Sequence, residues 1–186
     1  MLPDDLAAVR DRAEQLYGPD EISTALDHMA KTITAELANT MPVVLCNLTG
    51  AILPTGHLLT RLDFPLEIDH LHVTRYRGDT TGGDRIDWLG KPRILLTGRT
   101  VLLIDDILDE GHTLNAVIDY CRKEGAERVY SAVLVKKHHE RGLPVVADCI
   151  GLEVDDRYVF GFGMDYKGWF RNLNGIYAVN RNKENT

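Results

Sequence analysis

Residues 100–114 read TVLLIDDILDEGHTL, and the order of residue types along this stretch decides the fold. Val101, Leu102, Leu103 and Ile104 form an unbroken apolar run, as suits a strand covered on both faces. The run stops at two carboxylates, Asp105 and Asp106. Asp109, Glu110, Gly111, His112 and Thr113 then lead into Leu114, Val117, Ile118 and Cys121, which share one helical face. Gly125 closes that helix, and residues 129–135 are again apolar. Strand, helix and strand in succession predict a parallel sheet and an α/β fold.

Ligands of open α/β sheets collect at the carboxyl ends of strands. A glycine turn feeding a helix presents free N–H groups and the positive end of the helix dipole, which together suit a phosphate. Gly111 and Thr113 fit that role. Asp105 and Asp106 would repel a phosphate, so they call for hydrogen-bond donors or positive charge, which a ribose diol or a magnesium ion supplies. Phosphate and sugar side by side describe a ribose 5-phosphate. A plainer reading stays open, in which the acids cap a strand and the turn only starts a helix. A receiver domain would also place an acidic pair here, but the Gly111 and Thr113 spacing speaks against it. A Walker phosphate loop is excluded because no GxxxxGK[ST] string occurs.

Upstream, residues 43–46 read as a strand, residues 47–50 as a turn and residues 51–62 as a helix. A strand at 68–74 runs into RYRGDTTGGD, residues 75–84, whose three glycines predict a loop. Strands at 86–89 and 94–96 precede a turn at Gly98. At the start of the chain, Leu6, Val9, Ala13, Leu16 and Tyr17 fall at helical spacing. Past the Gly18-Pro19 break, Ile22, Ala25, Leu26, Met29, Ile33 and Leu37 do so again, which predicts two amphipathic helices. Downstream, residues 149–154, 158–162 and 176–179 complete the strands.

With 186 residues, one domain spanning 1–186 is expected, large enough for an unstapled core. Lys and Arg number 21 against 28 Asp and Glu, a net charge of −7, which argues against nucleic acid as a partner. The three cysteines are far apart and suggest no disulfide framework. The acidic N-terminal stretch lacks the pattern of a secretory signal, and no apolar run is long enough to span a membrane. The expected location is cytoplasmic, without membrane partners, so the Asn47-Leu48-Thr49 sequon reads as chance.

The stretch TVLLIDDILDEGHTL resembles the phosphoribosyl diphosphate signature of type I phosphoribosyltransferases. Residues 134–137 (LVKK), the 75–83 loop and residues 156–173 (DRYVFGFGMDYKGWFRNL) narrow the resemblance to hypoxanthine-guanine phosphoribosyltransferases, over roughly residues 43–179. It implies a five-stranded parallel sheet flanked by helices, with a core at about 40–180 and a small hood built from the terminal regions. It implies purine salvage, with IMP or GMP and pyrophosphate made from phosphoribosyl diphosphate and a base, in a homodimer or homotetramer. A xanthine-preferring enzyme and a non-catalytic phosphoribosyl diphosphate sensor are the alternatives.

The same resemblance implies the roles of single residues. Asp105 and Asp106 hold ribose hydroxyls, directly or through hydrated Mg2+, and Asp165 binds a second metal. Asp109 is the general base candidate. Glu110, Gly111, His112 and Thr113 bind the 5-phosphate, while Thr49, Gly50 and Arg171 belong to the pyrophosphate side. Lys136 donates to the purine oxo group, Tyr158 stacks on the base, and Val159 and Ile107 complete the base site. Arg75 and Tyr76 sit in the mobile loop, a lid whose Arg75, Arg77 and Arg85 either close over phosphates or form a solvated run. Three positions depart from the family pattern. Glu110 replaces a serine or threonine, so its side chain is expected to point away from phosphate. Thr49 replaces a lysine, and Arg75-Tyr76 replaces a serine-tyrosine pair. His138 and His139 read as surface residues, whereas His70, His72, Trp88 and Trp169 read as structural.

Overall fold

The computed structural model describes residues 4–76 and 85–179, without the side chains of residues 4, 5, 75, 76 and 85. Its elements in chain order are α1 (Asp4–Arg12), β1 (Glu14–Tyr17), α2 (Pro19–Leu37), β2 (Val43–Leu48), α3 (Ile52–Leu59), β3 (Glu67–Tyr76) and β4 (Arg85–Gly90). Then follow β5 (Thr100–Leu108), α4 (His112–Lys123), β6 (Arg128–His138), β7 (Cys149–Asp155), β8 (Val159–Phe160) and β9 (Ile176–Ala178). The main sheet has the order β4-β3-β2-β5-β6-β7. Its β3, β2, β5, β6 and β7 are mutually parallel. The expected five parallel strands are therefore present, with β4 added antiparallel at one edge. Among the described residues, no helix is long and apolar enough to cross a membrane.

Central β5 pairs with β2 through Val101↔Val43 and with β6 through Val101↔Val129. Neighbours on both edges and helices on both faces explain why Val101 to Ile104 had to be apolar without alternation. On one face, α2 and α3 bury Leu26, Met29, Ile33 and Leu58 against Ile104, Ala132 and Leu134. On the other, α4 buries Leu114, Val117 and Cys121 against Leu45, Leu103 and Val133. Pro19 starts α2 at a position where a missing N–H does no harm. Glu21 then accepts the Gly18 N–H at 2.8 Å.

The hood is a three-stranded sheet of order β1-β9-β8, with Leu6, Phe160 and Phe170 as its own small core. Here the expectation of a helix through Leu16 and Tyr17 fails. Residue 18 precedes a proline, which disfavours helical backbone, and Glu14 and Gln15 pair with Ala178 and Tyr177 of β9 instead. The strand expected at 94–96 is also absent. Arg93 and Ile94 donate their N–H groups to Asp69 Oδ2 at 2.6 and 2.9 Å, and among the described residues no neighbouring strand pairs with them. Leu96 is buried while Leu95 is exposed. Arg75 and Tyr76 extend β3, paired with Ile86 and Arg85. The rest of the expected lid, including Arg77 and residues 78–84, lies outside the described residues.

Candidate active site

The carboxyl end of β5 delivers Asp105, Asp106 and Asp109 to one cavity of about 380 Å³. Asp105 is buried, and Asn47 of neighbouring β2 donates Nδ2 to both of its oxygens at 3.1 Å. Among the described residues the buried Asn47 Oδ1 has no partner. Burial, and then the Asp106 charge, push the Asp105 carboxyl well above its ordinary value. Burial raises Asp106 too, against the pull of its hydrogen bond with Asp105 and of the Arg171 charge. Two carboxylates that share this little water demand a cation or hydroxyl donors. Such hard oxygen donors fit a divalent cation of the magnesium kind. Among the described residues no group of three or more His, Cys, Asp or Glu side chains is placed to hold a metal ion, so a cation here would take most of its ligands from water and substrate oxygens.

Gly111 turns the chain into α4 with a φ of 78°, a conformation that a residue with a Cβ rarely adopts. Among the described residues no side chain caps α4, and His112, Thr113 and Leu114 of its first turn line the cavity. The opposite wall is the loop after β2, with Thr49 and Gly50. A Cβ on Gly50 would overlap the Asp106 carboxylate, and one on Gly163 of the hood would overlap the Gly50 carbonyl. The Gly50 loop, the Gly163 segment and the Asp106 carboxylate pack this closely because glycine allows it. From the hood, Arg171 donates to the Gly163 carbonyl and pairs with Asp165, each at 2.7 Å. The other Asp165 oxygen accepts the Gly168 N–H at 2.6 Å.

Thus Asp105, Asp106, Ile107, Asp109, Glu110, Gly111, His112, Thr113, Thr49, Gly50, Asp165 and Arg171 all line one space. Lys136, Tyr158 and Val159 do not. Lys136 Nζ lies 3.9 Å from Glu153, Tyr158 is half exposed and edge-on to Tyr166, and Val159 is buried in the hood opposite Ala178. The Glu110 side chain lies within 3.9 Å of His112 and 3.8 Å of Arg141.

Two neighbours of Asp109 escaped the sequence reading. Lys137 Nζ sits 2.9 Å from Asp109 Oδ2, and His139 Nε2 sits 2.7 Å from Oδ1. The His139 side chain is only 7% exposed, which overturns its reading as a surface residue. His138 does lie at the surface, against Glu153. Beyond β6 the chain folds back so that Leu143 donates to the Glu110 carbonyl at 2.9 Å, and this return carries His139 under Asp109. The KKHHE string held the only signal, two cations and two imidazoles at a strand end, and its partner was invisible before the β5–β6 register was known. His72, read as structural, also contributes to the cavity wall. Burial alone would raise Asp109, but Lys137 and then His139 outweigh it and hold this carboxyl below its ordinary value.

A mainly parallel sheet with a cavity at the strand ends where β5 meets α4, flanked by a small hood, defines an α/β protein of the phosphoribosyl transferase fold. The chain belongs to the phosphoribosyl transferase domain family, matched over residues 13–167, and within it to the hypoxanthine-guanine phosphoribosyltransferases. It is 30% identical to the hypoxanthine-guanine phosphoribosyltransferase of Bacillus subtilis over 158 residues, covering 85% of this chain and 88% of that one. It is also 32% identical over 158 residues to the bifunctional protein TilS/HprT of Listeria innocua, of which it spans only 24%. A solved hypoxanthine-guanine-xanthine phosphoribosyltransferase superposes with a TM-score of 0.81 at 27% identity, over 91% of this chain and 98% of that one. The fold is likewise that of a Staphylococcus aureus hypoxanthine phosphoribosyltransferase, with a TM-score of 0.87 at 23% identity, over 96% of this chain and 98% of that one.

Proposed function

We propose that this enzyme transfers ribose 5-phosphate from phosphoribosyl diphosphate to hypoxanthine or guanine, making IMP or GMP and releasing pyrophosphate. The observation that carries this reading is the shared cavity, where the Asp105-Asp106 pair and the uncapped start of α4 face Arg171 and Asp165 of the hood. The first turn of α4 binds the 5-phosphate through its N–H groups. Asp105 and Asp106 hold the ribose hydroxyls. Bound magnesium would supply charge neutralisation for the departing pyrophosphate, with Asp105 and Asp106 on the side of one ion and Asp165 on the side of a second.

In the reaction a ring nitrogen of the base forms the new bond to the anomeric carbon as the bond to pyrophosphate oxygen breaks. The bonding electrons leave with pyrophosphate, and the Arg171 guanidinium stabilises that charge. Asp109 takes the proton from the ring nitrogen. Lys136, Tyr158 and Val159 recognise the base. For Lys136 this requires leaving Glu153, a reach its long side chain allows. The test is nucleotide formation from phosphoribosyl diphosphate with hypoxanthine, guanine, xanthine and adenine supplied separately. The two oxo-purines hypoxanthine and guanine are expected to be used. Binding of phosphoribosyl diphosphate without turnover of any base would mark the chain as a sensor, and a preference for xanthine would redraw the base site.

A further inference from the structure

The bonds on Asp109 do not suit a general base waiting with free oxygens. Each carboxylate oxygen already has a partner, Lys137 at 2.9 Å on one and His139 at 2.7 Å on the other. The contact is sheltered, since the Lys137 and His139 side chains are 12% and 7% exposed. The His139 ring is itself fixed, because its Nδ1 accepts the Arg141 backbone N–H at 3.2 Å. With Nδ1 accepting, the Nε2 proton is the one directed at Asp109. Lys137 brings a positive charge to one oxygen of Asp109, and His139, held from its other side, fixes the direction of the second.

We propose that Lys137 and His139 are positioning residues that clamp Asp109, aim its remaining lone pairs into the cavity and make it a late proton acceptor. A carboxylate paired with a lysine is a weaker base than a free one. It takes the ring proton only once the new bond to the anomeric carbon has made that proton acidic, and it does not strip the free base beforehand. Lys137 favours the ionised form of Asp109, against the desolvation that acts to raise its carboxyl. The other charges facing the cluster are Arg141 and Asp156, joined to each other at 2.7 and 2.8 Å, and Glu110, 3.8 Å from Arg141. They come from the returning segment, the start of the hood and the turn before α4. Lys137 and His139 make the direct contacts.

This inference rests on Asp109 being the base, so the experiment includes a control for that reading. The acid limb of kcat/KM reports the free enzyme's base, and it is to be measured for the full chain, Lys137→Gln, Lys137→Arg, His139→Ala, His139→Gln and Asp109→Asn. Removing the Lys137 charge lets Asp109 hold its proton to higher pH, so in Lys137→Gln the acid limb moves up, and in Lys137→Arg it returns. His139→Ala lowers kcat about 10- to 100-fold, as a misplaced group does. KM for phosphoribosyl diphosphate stays the same, and His139→Gln, a neutral donor, restores much of the rate. Acid limbs and kcat unchanged in folded Lys137→Gln and His139→Ala, with Asp109→Asn still impaired, overturn the clamp and leave the base reading standing. Full activity of Asp109→Asn overturns the base reading itself. Where Lys137→Gln does not fold, the carboxyl ¹³C titration of Asp109 in the unaltered protein decides. The clamp requires a midpoint below the ordinary aspartate value of about 3.9, and a midpoint at or above it refutes the clamp.

Discussion

A methyl group at residue 50 would need the space now filled by the Asp106 carboxylate. Gly50→Ala is therefore expected to push Asp106 off the ribose side of the cavity and lower kcat/KM for phosphoribosyl diphosphate by roughly 10²-fold, as misplacement by about an ångström does. Melting should change little, because Gly50 adds no side chain to the core. Steady-state kinetics with a melting curve of the same preparation check both halves. Asp109→Asn keeps size and polarity but removes the base, so kcat should fall about 10²- to 10⁴-fold while binding persists. A single-turnover rate equal to that of the unaltered enzyme would rule this out. Adenine should be rejected by roughly 10⁴-fold, because Lys136 offers only donors and the adenine amino group is itself a donor. The ratio of kcat/KM for hypoxanthine and adenine measures this, and Lys136→Gln should narrow it. At this scale the sequence was legible wherever chemistry is contiguous, as from Asp105 to Thr113. It was silent on contacts that only register creates, namely Asn47 on Asp105 and Lys137 and His139 on Asp109.

Elements were legible where the pattern is long or wholly apolar. The buried positions of α2, from Ile22 to Leu37, recur at helical spacing, and β5 follows an uninterrupted apolar run. Short segments were decided by partners remote in sequence. Leu16 and Tyr17 became strand because β9 offered a ladder, and residues 94–96 did not because Asp69 took two N–H groups that a strand would have paired. This Asp69 contact should be measurable as a pH-dependent stability. Burial acts to raise the Asp69 carboxyl, but the N–H groups of Ile94, His70 and Arg93 prevail and lower it. A carboxyl depressed on folding adds stability above its unfolded value, about 3.9, and loses it as pH falls through the folded value. Asp69→Asn should therefore cost about 1–3 kcal/mol at neutral pH, with the gap to the unaltered protein closing in acid below pH ~4. Urea unfolding midpoints at several pH values test this. A gap that stayed constant into acid would mean that size and packing, not charge, make the contact.

Across the whole molecule, the hood is assembled from strands drawn from both ends of the described chain, β1 near its start and β8 and β9 near its finish. Its Arg171 and Asp165 complete a cavity whose floor belongs to the main sheet. Tyr17 adds a bond between the two parts, donating its hydroxyl to the Glu153 carbonyl at 2.6 Å. A ligand in that cavity touches hood and core together, so it should stabilise the chain as one cooperative unit. Repulsion between Asp105 and Asp106 limits this when no cation is present, and the diphosphate end of the substrate adds more negative charge. Phosphoribosyl diphosphate with Mg2+ should thus raise the melting temperature, whereas either one alone should raise it far less. At a concentration of about 100 Kd the linkage is worth roughly 2.7 kcal/mol, or about 5–10 °C for a chain of this size. Excess chelator should erase the shift and stop turnover together, and added Mg2+ should restore both. A full shift in chelator would show that phosphate and sugar contacts suffice without metal, and would remove Asp105, Asp106 and Asp165 from the role of ligands.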